Sequence, residues 1–218
     1  MCNENMISLG KADVKKIEKI QENVFFLQLA LPPQTARNAK PISGQFYMLK
    51  RVPSDTFLFR PISVYNSTCK SDGTVLVDFL ILQKGKGTAE LCSVNQSTQI
   101  EIFGPLGNGF SVPNKNKKIA IIGGGIGVAP VAGFANTLAE NSYDFFACFK
   151  TGSYGLQNVK ANKLLISTDD GTCGTKGMLP DIFTESDAKA TILFTLAGQR
   201  QCLNMFKLFA RTQTQNAF

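Results

Sequence analysis

Arg60-Pro-Ile-Ser-Val-Tyr65 and Ile119-Ala-Ile-Ile-Gly-Gly-Gly-Ile-Gly-Val-Ala-Pro130 lie in opposite halves of a 218-residue chain. The second stretch reads as a buried strand running into a glycine-rich turn and then a helix. In such a turn backbone N–H groups can approach a pyrophosphate without interference from side chains. The first puts a guanidinium three residues from a hydroxyl in an extended, proline-stiffened segment, a suitable grip on an anionic cofactor with a hydrogen-bonding ring. Pro130 falls in the first turn of the helix, where a missing N–H costs little.

Working outward from Arg60, the segment from Asp13 to Pro113 is a series of short apolar or alternating runs. Val24–Ala30, Gln45–Leu49, Thr74–Leu82 and Gln99–Phe103 read as strands. Pro32-Pro33, Ser43-Gly44, Ser71–Gly73 and Gly104-Pro-Leu-Gly-Asn-Gly109 read as the turns between them. Short strands at this spacing predict a small antiparallel barrel, with one helix at Thr88–Ser93. Val112–Lys118 reads as a linker, which gives domains at 1–113 and 114–218.

Beyond the linker the period changes. Strands at Ile119–Ile122, Asp144–Phe149, Leu164–Ser167 and Thr191–Leu196 alternate with helices at Gly127–Glu140, Met178–Thr184 and Gln201–Ala210. That alternation predicts an α/β, Rossmann-like domain with a parallel sheet covered on both faces. Ligands of such sheets bind beyond the carboxyl ends of the strands, where Gly123–Gly127 and Thr168-Asp-Asp-Gly-Thr-Cys-Gly174 both fall.

Composition narrows the classes. Hydrophobic content of 44% and charged content of 18% describe an ordinary globular chain. The net charge of +7 comes from scattered lysines without interleaved aromatics, so it reads as solvated surface and predicts no nucleic-acid partner. Six cysteines include no Cys-x-x-Cys pair, and histidine is absent, so no metal site is expected and reduced cytoplasmic thiols are. Met1–Gly10 has no secretory pattern, and Ile119–Ala135 is too short and too rich in glycine for a membrane span.

Taken singly, each motif has a plain structural reading: a helix-packing turn at Gly123, a threonine N-cap at Thr88, a polar loop at Thr168, a surface ion pair for Arg60. Their order is more telling. Arg60-Pro-Ile-Ser63, Gly85-Lys-Gly-Thr88, Gly104-Pro-Leu-Gly-Asn-Gly-Phe110, Gly123–Pro130 and Thr168–Gly174 together resemble the ferredoxin–NADP reductase superfamily. Within it the nearest resemblance is to electron-transfer subunits of bacterial dihydroorotate dehydrogenase, with sulfide dehydrogenase and NADH-dependent ferredoxin oxidoreductase subunits also similar. The resemblance covers residues 12 to 205.

It implies an FAD-binding barrel, with the flavin at the interface with a second, NAD(P)-binding domain. Arg60 would face the FAD pyrophosphate and Ser63 the flavin N5 edge, with Pro61 between them. Ile62 and Val64 would pack on the ring, with Leu80, Ile81 and Leu82 completing the flavin site. Gly85, Gly87 and Thr88 would meet the diphosphate from the other side. Gly123, Gly124, Gly125, Ile126 and Gly127 would take the nicotinamide dinucleotide's pyrophosphate, while Asp169, Asp170 and Gly198 would lie near its nicotinamide or ribose.

The implied activity is electron transfer from NAD(P)H through FAD to a protein partner, such as a dihydroorotate dehydrogenase catalytic subunit in pyrimidine biosynthesis. No side-chain acid or base is required.

Departures from the family pattern bear on both cofactor sites. The family's Cys-Gly-Pro-x-Pro-Met is here Ala197-Gly-Gln-Arg-Gln-Cys202, and its aromatic–Arg pair before Gly-x-Gly-Thr is Ile81-Leu82. The stretch between Phe149 and Leu164 reads as having lost a helix, and no counterpart of the family's last strand and cysteine-rich, cluster-binding tail is expected within these 218 residues. These departures support the alternative of a non-catalytic subunit that keeps the fold for partner binding.

Overall fold

The computed structural model describes residues 8–33, 40–111, 119–190 and 193–197. The linker at 112–118, the helix expected at 201–210, Gly198, Cys2 and Cys202 lie outside them. The chain divides into two compact units, with the boundary between Phe110 and Ser111.

The first unit is a closed antiparallel barrel of β1 (Ser8–Gln21), β2 (Val24–Leu31), β3 (Phe46–Val52), β4 (Arg60–Cys69), β5 (Val75–Leu82) and β6 (Gln99–Leu106), in the order β1-β2-β5-β4-β3-β6. Alternation builds it: Val75, Val77, Phe79 and Ile81 of β5 point inward, joined by Leu27, Leu29, Leu49, Ile100 and Ile102. Tyr47 meets Phe79 edge to face inside, with ring centroids 6.1 Å apart. Helix α1 (Lys86–Cys92) lies between β5 and β6 and buries Leu91 and Cys92.

Two expectations change here. β1 starts at Ser8, ahead of the predicted pattern, because Leu9, Gly10 and Lys11 pair with Phe103, Ile102 and Glu101 of β6. Gly104-Pro-Leu106, read as a turn, continues β6 instead. Gly104 has φ +149°, and a Cβ there would stand 2.6 Å from the Tyr47 ring, so the strand passes over that ring only as glycine.

In the second unit β7 (Ile119–Gly124), β8 (Tyr143–Phe149), β9 (Lys163–Thr168), β10 (Thr175–Lys176) and β11 (Leu193–Ala197) form a parallel sheet in the order β10-β9-β8-β7-β11. β7 and β8 are buried along their whole length, the mark of strands covered on both faces. A 3-10 turn at Gly125–Gly127 leads into α2 (Val128–Ala135), all eight residues of which are buried.

Helix α2 stops five residues short of the predicted Glu140. The Thr137 hydroxyl donates to the Phe134 carbonyl at 2.7 Å, and Thr137 N bonds the same oxygen at 2.9 Å, so the helical ladder ends there. Helices α3 (Leu179–Ile182) and α4 (Glu185–Ala190) follow β10; α4 lies beyond the helix expected at Met178–Thr184.

Residues 150–162, joining β8 to β9, contain no helix. The connection is tied back to the start of β8 by Lys160 N on the Tyr143 hydroxyl (3.0 Å) and Asn162 Nδ2 on Asp144 Oδ1 (2.9 Å). Buried Tyr154 lies against Phe149, centroids 4.8 Å apart, and burial pushes its hydroxyl up to about 12.

Candidate functional site

Strand β4 and helix α1 meet at one point in the barrel unit. The guanidinium of Arg60, the first residue of β4, lies against the backbone of Gly87 in the first turn of α1. A Cβ on Gly87 would stand 2.0 Å from Arg60 Nε, 2.7 Å from Cζ and 2.8 Å from Nη2. Only glycine lets the arginine lie across the head of this helix. Positions 27 residues apart in sequence are thus brought together as one cationic corner.

Gly85 is the helix's N-cap, with its backbone extended at φ −151°. Thr88 is the third residue of the helix rather than its cap. Its Oγ1 accepts from Lys84 N (2.9 Å) and Gly85 N (3.1 Å) and donates to the Gly85 carbonyl (2.9 Å). The hydroxyl therefore shapes the loop, and the groups left to an anion are the Arg60 guanidinium and the helix's leading amides.

Alternation along β4 sorts the remaining barrel candidates. Ile62 and Val64 join the barrel core, so the strand presents Pro61 and Ser63 outward, the first exposed and the second half-buried. A register shift between Val64 and Asn66 bends β4 just beyond this point. In β5, Leu80 and Ile81 are buried and Leu82 is half-buried beside the loop that leads to Gly85.

Sequence reasoning missed Glu90. From α1 its carboxylate takes three donors of the β3–β4 loop: Ser54 Oγ at 2.5 Å, Asp55 N at 3.1 Å and Thr56 Oγ1 at 3.2 Å. The Ser54 hydrogen bond, chief among these, holds its pKa below the ordinary carboxylate range. No local pattern signals it, because the partners are 34 to 36 positions away.

In the second unit the five candidates from Gly123 to Gly127 separate into two roles. Gly123 and Gly124 are buried in β7, and a Cβ on Gly123 would meet Val128 Cα and Val131 Cγ2 at 3.1 Å. Gly123 is a strand-to-helix packing glycine. Gly125 (φ +55°), Ile126 and Gly127 form the half-buried turn itself. Ala197 of β11 pairs with Gly123, which puts the position of the family's cysteine beside the turn's approach.

Asp169 and Asp170 follow β9 at the same end of the sheet, both exposed. Asp170 Oδ1 accepts from Thr172 Oγ1 (2.6 Å) and Thr172 N (3.0 Å), and these bonds, with one from Thr151, lower its pKa to about 2. Thr172 Oγ1 in turn accepts from Gly152 N at 2.8 Å, and buried Thr168 exchanges hydrogen bonds with Cys173 at 2.9 and 3.1 Å. The carboxylate of Asp170 therefore builds the loop, and Asp169 is the more available of the two.

Among the described residues no group of three or more cysteine or carboxylate side chains could hold a metal ion, and no helix is long and apolar enough to cross a membrane. Among the described residues, Cys69, Cys92, Cys148 and Cys173 are in no disulfide.

No protein-family model matches the chain. It is 37% identical over 169 residues to the dihydroorotate dehydrogenase B (NAD(+)) electron transfer subunit of Clostridium acetobutylicum, an alignment covering 77% of this chain and 67% of that one. The corresponding subunit of Listeria monocytogenes is 29% identical over 213 residues, covering 94% and 81%.

Among solved structures, the NADH-dependent reduced ferredoxin–NADP oxidoreductase superposes with a TM-score of 0.74 at 22% identity, covering 92% of this chain and 72% of that chain. A ferredoxin NADP+ reductase from Neisseria gonorrhoeae, solved with FAD and NADP, gives 0.66 at 12% identity, covering 94% and 91%. With a closed barrel and a parallel sheet, this chain has the ferredoxin–NADP reductase-like fold and belongs to the family of dihydroorotate dehydrogenase electron-transfer subunits.

Proposed function

We propose that this chain is a cytoplasmic flavoprotein that takes electrons from NAD(P)H and passes them through FAD to a partner protein. The observation that carries the reading is the Arg60 guanidinium laid over Gly87 at the head of α1. It sets a cation beside the leading amides of a helix, a donor set of the charge a flavin diphosphate requires, and the residues present fit that group.

Arg60 would hold the diphosphate by charge-assisted hydrogen bonds, with the leading amides of α1 beside it. Ser63, on the outward side of β4, would hold the ring edge, and Pro61 would stiffen the strand between the two. In the other unit the Gly125–Gly127 turn and Asp169, at the carboxyl ends of parallel strands, would bind and orient the nicotinamide dinucleotide. Held there, FAD would supply the hydride-accepting and electron-releasing chemistry, and this chain's residues would supply binding and orientation with no side-chain base. The family's name supports a dihydroorotate dehydrogenase catalytic subunit as the partner.

A second reading, a subunit that keeps the fold without redox work, draws on Ala197 at the end of β11. One experiment separates them. The purified full chain is reconstituted with FAD, its visible spectrum and flavin content are measured, and NADH or NADPH is added without oxygen. About one FAD per chain that bleaches supports the proposal; a chain that takes up no flavin refutes it. Bound flavin that neither nucleotide reduces supports the second reading.

A further inference from the structure

The β3–β4 loop, residues 53–59, holds two of its three large apolar side chains out to solvent, while the third, Phe59, is half-buried with Lys50 over its ring. Phe57 is 89% exposed and Leu58 61%. The loop is not a loose one. Ser54, Asp55 and Thr56 are all tied to Glu90 of α1, and Thr56 N also donates to Ser54 Oγ at 3.1 Å. The same helix therefore carries the loop's anchor at Glu90 and, one turn earlier, the glycine under the Arg60 guanidinium.

We infer that the Phe57–Leu58 tip is the platform for the adenine ring of FAD, and that Glu90 is the positioning residue that holds it there. The inference rests on the reading of the barrel as an FAD site. Three chain steps separate Phe57 from Arg60, a reach of roughly 10 Å at most. A base linked to a diphosphate held at Arg60 lies within that span. A two-residue tip is far smaller than the roughly 800 Å² per partner that a stable protein interface buries, while it matches one face of one base.

Flavin-free full chain is titrated with FAD and with FMN, followed by flavin fluorescence. FMN keeps the ring and one phosphate and lacks the adenosine. The wild type is expected to prefer FAD, and Phe57→Ser to weaken FAD by about tenfold or more, the usual value of base–aromatic stacking, with FMN unchanged. Glu90→Gln should weaken FAD in the same direction, again sparing FMN, and should add little in the Phe57→Ser background. Thermal melts report folding. If Glu90→Gln does not fold, Ser54→Ala removes one of the three anchors and should give a smaller loss with the same FAD selectivity.

The inference is overturned if the Phe57→Ser, Leu58→Ser double variant binds FAD as the wild type does, while Arg60→Ala still loses it; the FAD reading then stands without this platform. It is equally overturned if Glu90→Gln weakens FAD and FMN alike, since the residue then acts on the shared part of the ligand. A wild type that binds neither flavin removes both readings together.

Discussion

Adding one methyl group at Gly87 separates binding from stability. In Gly87→Ala the new Cβ would stand 2.0 Å from Arg60 Nε. An ordinary non-bonded contact needs about 3.5 Å, so the guanidinium must withdraw by roughly 1.5 Å. That displacement carries it out of the 2.7–3.2 Å window in which an N–H···O bond to a diphosphate oxygen is strong. The loss is about 1.5–3 kcal/mol, or ten- to a hundredfold and somewhat more in the dissociation constant for FAD. Gly87 has no left-handed φ, and alanine improves an ordinary helical position by up to about 1 kcal/mol, so the melting temperature should hold or rise. Fluorescence titration of the flavin-free protein, alongside a thermal melt, measures both quantities. In an Arg60→Ala background, itself weakened by a similar factor, the added methyl should cost nothing further. An unchanged FAD affinity in Gly87→Ala, or the same penalty with and without the arginine, would refute the reasoning.

Gly174→Ala should be strongly destabilising, by about 1–3 kcal/mol in a chemical melt, because φ is +67° and a Cβ would meet the Ile166 carbonyl oxygen at 2.1 Å. Asp170 titrates well below its ordinary 3.8, so its loop bonds stabilise the folded state above that pH and are lost as pH falls toward 2. Asp170→Asn should flatten the acid limb of the stability curve between pH 4 and pH 2, and a curve identical to wild type would count against the bonding described. Reduction of bound flavin by NAD(P)H should be slow, about a hundredfold below a well-aligned reductase, because Ala197 replaces the family's cysteine beside the glycine turn; stopped-flow bleaching at rates typical of such reductases would show the departure to be harmless. Purified without oxygen, the chain should carry no iron–sulfur cluster, since such centres need four converging thiolates; about two irons and two labile sulfides per chain would contradict this.

The two architectures were legible because each has its own period. Alternation in Val75–Leu82 can face only a barrel core, and the unbroken apolar runs at Ile119 and Tyr143 suit only strands covered on both sides. What escaped was set by particular side-chain contacts, some distant in sequence and one local. Gly104-Pro105 carries turn residues, yet it extends β6 because the neighbouring Tyr47 ring admits a strand with no side chain there. Helix α2 has helix-forming residues beyond Ala135, yet a threonine hydroxyl takes the carbonyl that would continue it. At the site, the motif glycines were visible, but their division of labour was not. Gly123 packs a helix while Gly125 makes a turn, and only the coordinates distinguish them. Glu90 could not be found from the sequence, because nothing near it in the chain marks what it binds.

β10 pairs with β9 only at Ser167 and Thr168. The first four residues of β9, Lys163 to Ile166, therefore have no strand on their outer side among the described residues. A closed barrel offers no such rim, so the two halves differ in how they meet other copies of themselves at high concentration. An open parallel edge is a template on which a stray strand can add and start a fibrillar aggregate. Lys163 stands at the entrance to that edge, held by Asp187 at 2.8 Å and over the Phe146 ring at 5.3 Å. An incoming strand would have to displace or bury a paired charge before its first hydrogen bond formed, so the protection at this edge rests in part on that ion pair and weakens as salt screens it.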